Sequence, residues 1–559
     1  MADPSAAAAA LFDRLAPDQR AAATTPPGPV LCIAPAGSGK TTTLIARIAW
    51  LLDGGADPEA ITAIVFNKRA ADELRARLST AAAGVGGDAV RVRTFHALGL
   101  EILRGAGQPV SPLVDRTSLL RRLWPTAPPA ERRRLETLFS RMKLDLRVDA
   151  AAIAADPDPG PLGLAFLTYE TALAATGGLD FDDLIARPLR LLEAEPDERA
   201  LWQGRCRHLL VDEAQDLDRS QLDLALLLAQ PENQVFLVGD DDQSIYGWRL
   251  ADVRRVLGLA ARLPGLKRVD LEVNYRCPRL VVERAVKLVS HNTERFAKVV
   301  RAGPGAGGRL VLAPTSDDDV GRTERLLAGW PDDATPRAIL ARTNRELASA
   351  AVAAIEVGRP FRAAGVELIV ESPLVDAILE RVATDASEAV EMAPLLVRIG
   401  RVRSAILDEP QTRADELDDP DDPDAPSPAD VSEALLGWAP RFETLEGLRT
   451  AIALARRRLA ELRRDDAPLS LATAHSTKGL EFDDVAVIDM DAERFPSARS
   501  LSDALEPERA LEEERRLAYV AWTRARLSLI LMYDPATPST FMLEAFTAAE
   551  LGLDPGVLH

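Results

Sequence analysis

The chain has 559 residues, 47% of them hydrophobic and 27% charged, a balance that suits roughly three or four folded domains and excludes disordered, collagen-like and disulfide-stapled classes. Its formal charge of −19 sets the surface as a whole against polyanions, so a nucleic-acid partner has to be held by local basic grooves. The three cysteines (Cys32, Cys206, Cys277) show no CxxC spacing and the five histidines no HxxxH pair, which argues against a disulfide framework or a zinc centre and fits a reducing compartment. No apolar run approaches a membrane span. The N-terminal stretch reaches acidic Asp13 without a basic leader, so no secretory signal is expected. Only seven of the 67 basic residues are lysine, a bias attributed to GC-rich coding.

Helical and strand signals alternate, predicting α/β architecture. The first apolar run, Val30–Ala34, reads as a buried parallel strand. Ala34-Pro-Ala36-Gly37-Ser38-Gly39-Lys40-Thr41 follows it and opens a helical pattern. A second strand is predicted at Ala63–Phe66. Residues 105–195 then read as mainly amphipathic helix, and Arg116–Arg147 within them carries nine basic and three acidic residues. That excess predicts contact with nucleic acid. Strands follow at His208–Val211 and Val235–Val238. A second group (Ala338–Leu340, Leu469–Thr473, Val485–Ile488, Leu527–Leu531) predicts another sheet. Between its members, residues 372–467 hold an acidic, proline-rich stretch at 408–430, read as a linker, and a basic helix after it.

Each early strand ends in chemically loaded residues, where parallel sheets bind ligands. Glycines after the first strand let backbone amides curl around phosphate at a helix N-terminus. In that reading Lys40 reaches the β- and γ-phosphates and Thr41 binds Mg²⁺. The pattern is a variant, with Ala34 where the strict motif has glycine. After His208–Val211, Asp212 would hold Mg²⁺ directly or through water, and Glu213 would activate the attacking water. After Val235–Val238, Gln243 is a candidate γ-phosphate sensor, while Tyr246 and Trp248 with Arg249 would form a stacking platform for bases.

These residues resemble the UvrD/Rep/PcrA-type superfamily 1 DNA helicases. The resemblance runs in order through Leu15-Ala-Pro-Asp-Gln19, Phe66-Asn67-Lys68, Thr94-Phe95-His96, Leu179-Asp-Phe-Asp-Asp-Leu184, VDEAQD from Val211, GDDDQSIYGWR from Gly239, Asn274-Tyr275-Arg276, Thr473–Phe482 and Glu513–Ala525. It implies two RecA-like parallel-sheet motor domains, each interrupted by a mainly helical insertion. These are 1–104 with 196–275, and 276–371 with 468–559; the insertions are 105–195 and a reduced 372–467. It implies that ATP sits in an interdomain cleft, cradled by Ala36, Gly37, Ser38, Gly39, Lys40, Thr41 and Thr42. Gln19 would read adenine, Tyr275 stack on it and Glu481 touch the sugar. Arg276 and Arg524 would act as arginine fingers from the second motor domain. Phe66, Asn67, Thr94, His96, Tyr246, Trp248, Arg249 and His475 would line a single-strand track, although His475 also reads as a core histidine.

The implied activity is ATP- and Mg²⁺-dependent 3′→5′ translocation on single-stranded DNA and unwinding at single/double-strand junctions, in the cytoplasm of a bacterium near its nucleoid, in repair or replication. The alternative is a translocase subunit of a nuclease or antiviral defence complex, with nuclease or repair proteins as partners. No membrane partner is implied. Four departures from the family pattern matter. The stacking phenylalanine of the family falls on Val65, unless Phe66 substitutes. The arginine that often follows the P-loop threonine is Thr42. The familiar WRG reads Trp248-Arg249-Leu250. The accessory region 372–467 reads as shrunken or partly missing, and with 35 residues after Arg524 no fused nuclease is expected.

Overall fold

The computed structural model describes residues 6–82, 86–316, 319–384, 393–408 and 428–553. The predicted acidic linker at 408–430 lies almost wholly outside them. The chain divides into two compact units, Met1–Ala127 with Glu131–Ala306 and Pro128–Ala130 with Gly307–His559. Residues 276–306, which the sequence reading assigns to the second motor domain, pack within the first unit.

The first unit is built on a parallel sheet of β1 (Val30–Ile33), β2 (Ile61–Ile64), β3 (Arg91–Arg93), β4 (His208–Val211), β5 (Val235–Gly239) and β6 (Lys267–Asp270), in the order β3-β2-β4-β5-β1-β6. Side chains alternate across it. Val30 and Cys32 share a core with Leu44, Ile48, Leu74 and Leu78 of the helices Lys40–Asp53 and Lys68–Ala81. Leu31 and Ile33 face Leu98, Ile102, Ile185 and Leu189 of the helices Phe95–Gly105 and Asp183–Ala194. Both faces are covered, so the strands are continuous apolar runs. A short parallel pair, β7 (Val273–Asn274) and β8 (Arg301–Ala302), follows.

The second unit repeats the plan with β9 (Arg309–Pro314), β10 (Arg337–Ala341), β11 (Phe361–Arg362), β12 (Leu469–Thr473), β13 (Phe482–Val487) and β14 (Ala525–Tyr533), all parallel, ordered β11-β12-β10-β13-β14-β9. The fold is α/β with two parallel sheets. The eight predicted strands are the inner strands of these sheets, and the four that were missed (β3, β6, β9, β11) are their four edges. Edge strands such as Arg91-Val-Arg93 and Lys267-Arg-Val-Asp270 carry charge to blunt strand pairing, and so lack an apolar signature. The second prediction slips by two residues: β2 ends at Ile64 and Phe66 falls in the turn beyond it.

Among the described residues both insertions are mainly helical. In the first, Leu119, Leu120, Phe139, Phe166, Tyr169 and Leu173 form a satellite core. Arg116 and Lys143 of its basic stretch are buried beneath, on Asp180, Asp182, Asp183 and Glu170. Arg147 pairs with Glu193. Part of the basic excess is therefore structural, and Arg121, Arg122, Arg134 and Arg141 remain exposed. In the second insertion, the helices Pro373–Thr384, Leu395–Asp408, Pro428–Trp438 and Leu445–Leu462 enclose Leu374, Ile378, Ile399, Leu435 and Leu448.

One close approach joins the sheet to the first insertion. A Cβ at Gly99 would stand 1.7 Å from the Leu184 carbonyl oxygen, so the helices Phe95–Gly105 and Asp183–Ala194 pack backbone to backbone there. Gly99→Ala is expected to cost about 3 kcal/mol by overpacking, read as a lowered thermal midpoint. Gly105→Ala, whose Cβ would meet only Trp202 at 3.7 Å, serves as the tolerated control.

Candidate functional site

The loop after β1 is shaped for phosphate. Gly37 and Gly39 both hold left-handed φ, +67° and +86°, and Gly39 precedes the helix that begins at Lys40. A helix N-terminus at this loop adds its positive dipole end. A Cβ at Gly39 would stand 2.6 Å from Gln19 Nε2. That amide donates to the Ser38 carbonyl at 2.8 Å, which seats Gln19 on the loop. The Ser38 hydroxyl is buried and has no hydrogen-bond partner. A loop of two left-handed glycines at a helix start, with an orphaned hydroxyl, fits a polyphosphate. Thr41 is half-buried at the helix start, and Ala36 lines the loop. Thr42 Oγ1 accepts from Arg77 Nη2 at 3.1 Å, so a guanidinium stands beside the position where the resemblance led us to miss one.

The acidic strand meets this loop. Lys40 Nζ lies 3.4 Å from Glu213 Oε2, although β5 separates their strands. Glu213 holds φ +52°, a backbone state that costs a non-glycine residue about 1–2 kcal/mol. Gln215, absent from the predicted site, repays attention. Its Nε2 donates to Glu213 Oε2 at 2.6 Å, and its Oε1 accepts from the Asp240 backbone amide at 3.0 Å. Asp240 in turn accepts from Gln243 Nε2 at 2.7 Å. The Asp212 carboxylate accepts from the Glu213 amide at 2.9 Å. Thr41 and Asp212 supply hard oxygen donors of the kind Mg²⁺ takes beside phosphates. Among the described residues no group of three or more His, Cys, Asp or Glu could hold a metal by itself.

Asn274, Tyr275 and Arg276 belong to the first unit. The Tyr275 amide donates to the Gly37 carbonyl at 2.9 Å, and a Cβ at Gly37 would meet Arg276 Cβ at 2.8 Å. Arg276 was expected from the second motor domain; the β7 turn instead packs it against the phosphate loop. Tyr275 is 50% exposed, an open face for stacking. Arg524 belongs to the second unit and is buried. Its guanidinium donates to the Val520 carbonyl at 2.8 Å and the Leu480 carbonyl at 3.1 Å. Glu481, beside it, lies 3.5 Å from Arg526. His475 sits after β12, where burial, then Arg342 and Lys478, hold its pKa down at about 3.

Of the nominated strand-binding residues, all but His475 lie in the first unit. Phe66 and Tyr246 stack at 5.2 Å with 9° between planes, Tyr246 meets Trp248 edge-on at 6.2 Å, and Arg249 caps Trp248 at 4.5 Å. Phe66 is 39% and Trp248 58% exposed, whereas Val65 is buried, so Phe66 supplies the ring at this turn. Leu250 holds φ +67°, the left-handed state that favours glycine. His96 stacks on Phe181 at 3.9 Å. Phe181 is exposed and was overlooked as a site residue although its motif was legible. Lys143, with its ammonium on Asp180 and Asp183, fixes the backbone that presents it. Asn67 and Thr94 are helix caps, accepting from the Ala70 and Ala97 amides at 2.8 and 3.2 Å.

Two outcomes follow. Asn67→Ala should cost about 1 kcal/mol in denaturant unfolding without DNA, from the lost cap. Burial, against Asp182 and with Arg249, depresses His96 to a pKa of about 4. The folded state therefore binds fewer protons than the unfolded one below the ordinary histidine value, and this contribution to stability is present above about pH 6.5 and lost as pH falls toward 4. Histidine ring NMR should show no His96 titration between pH 5.5 and 8.

Comparison with known proteins bears on this geometry. Residues 15–264 match the UvrD/REP helicase N-terminal domain and residues 412–535 the UvrD-like helicase C-terminal domain. The chain is 33% identical to ATP-dependent DNA helicase Rep of Escherichia coli over 320 residues, 55% of this chain and 48% of that protein, so this match spans about half the length of Rep. It is 26% identical to ATP-dependent DNA helicase PcrA of Staphylococcus epidermidis over 610 residues, 92% of this chain and 83% of that one. DNA helicase II of E. coli is 28% identical over 621 residues, 94% of this chain and 85% of its own length. No helix among the described residues is long and apolar enough to cross a membrane. With both family matches falling on the sheets that carry Lys40, Glu213 and Arg524, the chain belongs to the UvrD-like helicase family.

Proposed function

We propose that the protein is an ATP-dependent DNA helicase, a hydrolase that translocates 3′→5′ along single-stranded DNA and opens duplex at junctions during repair or replication. The observation that carries this reading is the connected path from Lys40 and Glu213, through Gln215 and Asp240, to Gln243 and the Tyr246–Trp248 platform three residues on. One polar network thus runs from a phosphate cradle to Gln243, and the backbone carries on from there to the aromatic rings. The names of Rep, PcrA and DNA helicase II support the substrate, and the resemblance supports the polarity.

In this reading the loop amides and Lys40 bind the triphosphate, Gln19 and Tyr275 hold the base, and Glu481 the sugar. Glu213 orients and deprotonates the attacking water, and Gln243 and Arg276 contact the γ-phosphate. Mg²⁺, held by Thr41 and Asp212, would neutralise phosphate charge. Arg524 would add a second guanidinium once it leaves the Val520 and Leu480 carbonyls. Phe66, Tyr246, Trp248, His96 and Phe181 stack bases, with Thr94, Asn67, Arg249 and His475 along the strand. The short 372–467 insertion favours a second reading, a translocase subunit that unwinds weakly alone and serves a separate nuclease or defence partner.

The test is hydrolysis with and without single-stranded DNA. DNA should stimulate turnover strongly. Glu213→Gln should lower kcat by a hundredfold or more, about 3 kcal/mol, while ATP binding persists; near-wild-type turnover overturns the water-activation role. Trp248→Ala should weaken single-stranded DNA binding by about 1–3 kcal/mol for the lost stacked base, read by fluorescence anisotropy. Strand displacement on 3′- and 5′-tailed duplexes separates the two readings and tests polarity.

A further inference from the structure

Sixty of the 67 basic residues are arginine, so each lysine kept at a buried position asks for a reason. Lys298 has one. It lies in none of the motifs that resemble the family, on the segment after the helix Arg279–Val289. Its side chain is 1% exposed, and its ammonium touches three consecutive carboxylates after β5: Asp240 at 2.8 Å, Asp242 at 2.9 Å, and Asp241. Arg295 grips Asp242 with both nitrogens, at 2.9 and 2.7 Å. The Phe296 amide donates to Asp241 at 2.8 Å. Burial works against the Lys298 charge, yet the carboxylates lift its pKa above the ordinary lysine value.

A compact ammonium has three N–H donors that can point to three acceptors; a planar guanidinium fork cannot spread in that way. The carboxylate that matters is Asp240. One oxygen takes the Lys298 ammonium and the other accepts from Gln243 Nε2 at 2.7 Å. Its backbone amide is held by Gln215, whose other end is on Glu213. Asp240 Oδ1 also accepts from the Asp242 amide at 3.2 Å, so Asp240 has four partners, of which only Lys298 comes from outside the motifs. The same stretch of chain begins at Tyr275 on the Gly37 carbonyl, so both its ends brace the nucleotide site.

We propose that Lys298 is a positioning residue: it fixes the Asp240 carboxylate that sets the plane of the Gln243 amide, and so holds the γ-phosphate contact in register with Glu213. This rests on the reading of Gln243 as that contact. Lys298 touches no reacting atom; it acts through Asp240.

The experiment is a double-mutant cycle in the full chain, read as DNA-stimulated ATP hydrolysis. Lys298→Met is expected to lower kcat about tenfold while KM for ATP stays within about threefold, because the cradle is untouched. In a Gln243→Ala background the same change should lower kcat by less than about twofold, since the two act as one unit. Lys298→Arg keeps the charge; it should recover thermal midpoint but leave kcat low. If Lys298→Met does not fold, the triple change Asp241→Asn, Asp242→Asn, Lys298→Met removes the surplus carboxylates, retains Asp240 and takes its place in the cycle. An unchanged kcat, an equal loss in both backgrounds, or full recovery of kcat by arginine overturns the proposal. Wild-type turnover in Gln243→Ala overturns the γ-phosphate role, and this inference with it. Absence of hydrolysis in the unaltered chain overturns the function itself, and is seen before any variant is made.

Discussion

The hydrogen bonds of the Gln215 amide tie together everything else at the candidate nucleotide site. β1 and β4 are not neighbours, because β5 lies between them. Lys40 and Glu213 can meet only if the ends of all three strands are held in register. Gln215 does this by donating to Glu213 and accepting from Asp240 at the end of β5. The fit is tight: a Cβ at Gly239 would stand 2.3 Å from Gln215 Oε1. Glu213 is left in a strained backbone state, which persists where surrounding contacts over-determine it.

Buried charge does related work elsewhere in the first unit. Lys143 holds Asp180, Asp183 and Glu170 beneath the segment that presents Phe181. Lys298 holds the three aspartates beneath the segment that leads to Tyr246 and Trp248. Removing one partner from such a cluster leaves uncompensated charge in a dry environment. These clusters therefore specify loop conformation more than they add net stability. They also keep several carboxylates of a chain with a net charge of −19 out of solvent.

The aromatic platform follows from the same economy of placement. Phe66 ends a turn after β2, and Tyr246 and Trp248 end one after β5. Their rings stand at the carboxyl ends of parallel strands, where side chains escape the two helical layers. Leu250 takes the left-handed state that the familiar glycine would adopt freely, while its side chain packs on the core. Burial of an apolar side chain offsets the backbone cost at that position.

The inner strands were legible in the amino-acid sequence because both faces of each are buried and the apolar run is unbroken. So were the P-loop, the Asp212–Glu213 pair and the exposed aromatics, since local spacing alone sets their chemistry. The four edge strands were not: charge hides the strand signal in β3 and β6, and β11 spans only two residues. Tertiary structure alone decided that Phe66, not Val65, turns its ring outward. It also decided that Asn67 and Thr94 cap helices, that Arg276 packs beside Gly37, and that Arg116 and Lys143 are buried rather than offered to a polyanion. Gln215 and Lys298 acquire meaning only from partners far away along the chain. Pattern reports what each residue can do next to its neighbours in sequence; which distant carboxylate it meets is set by the packing of strands and helices that no local window contains.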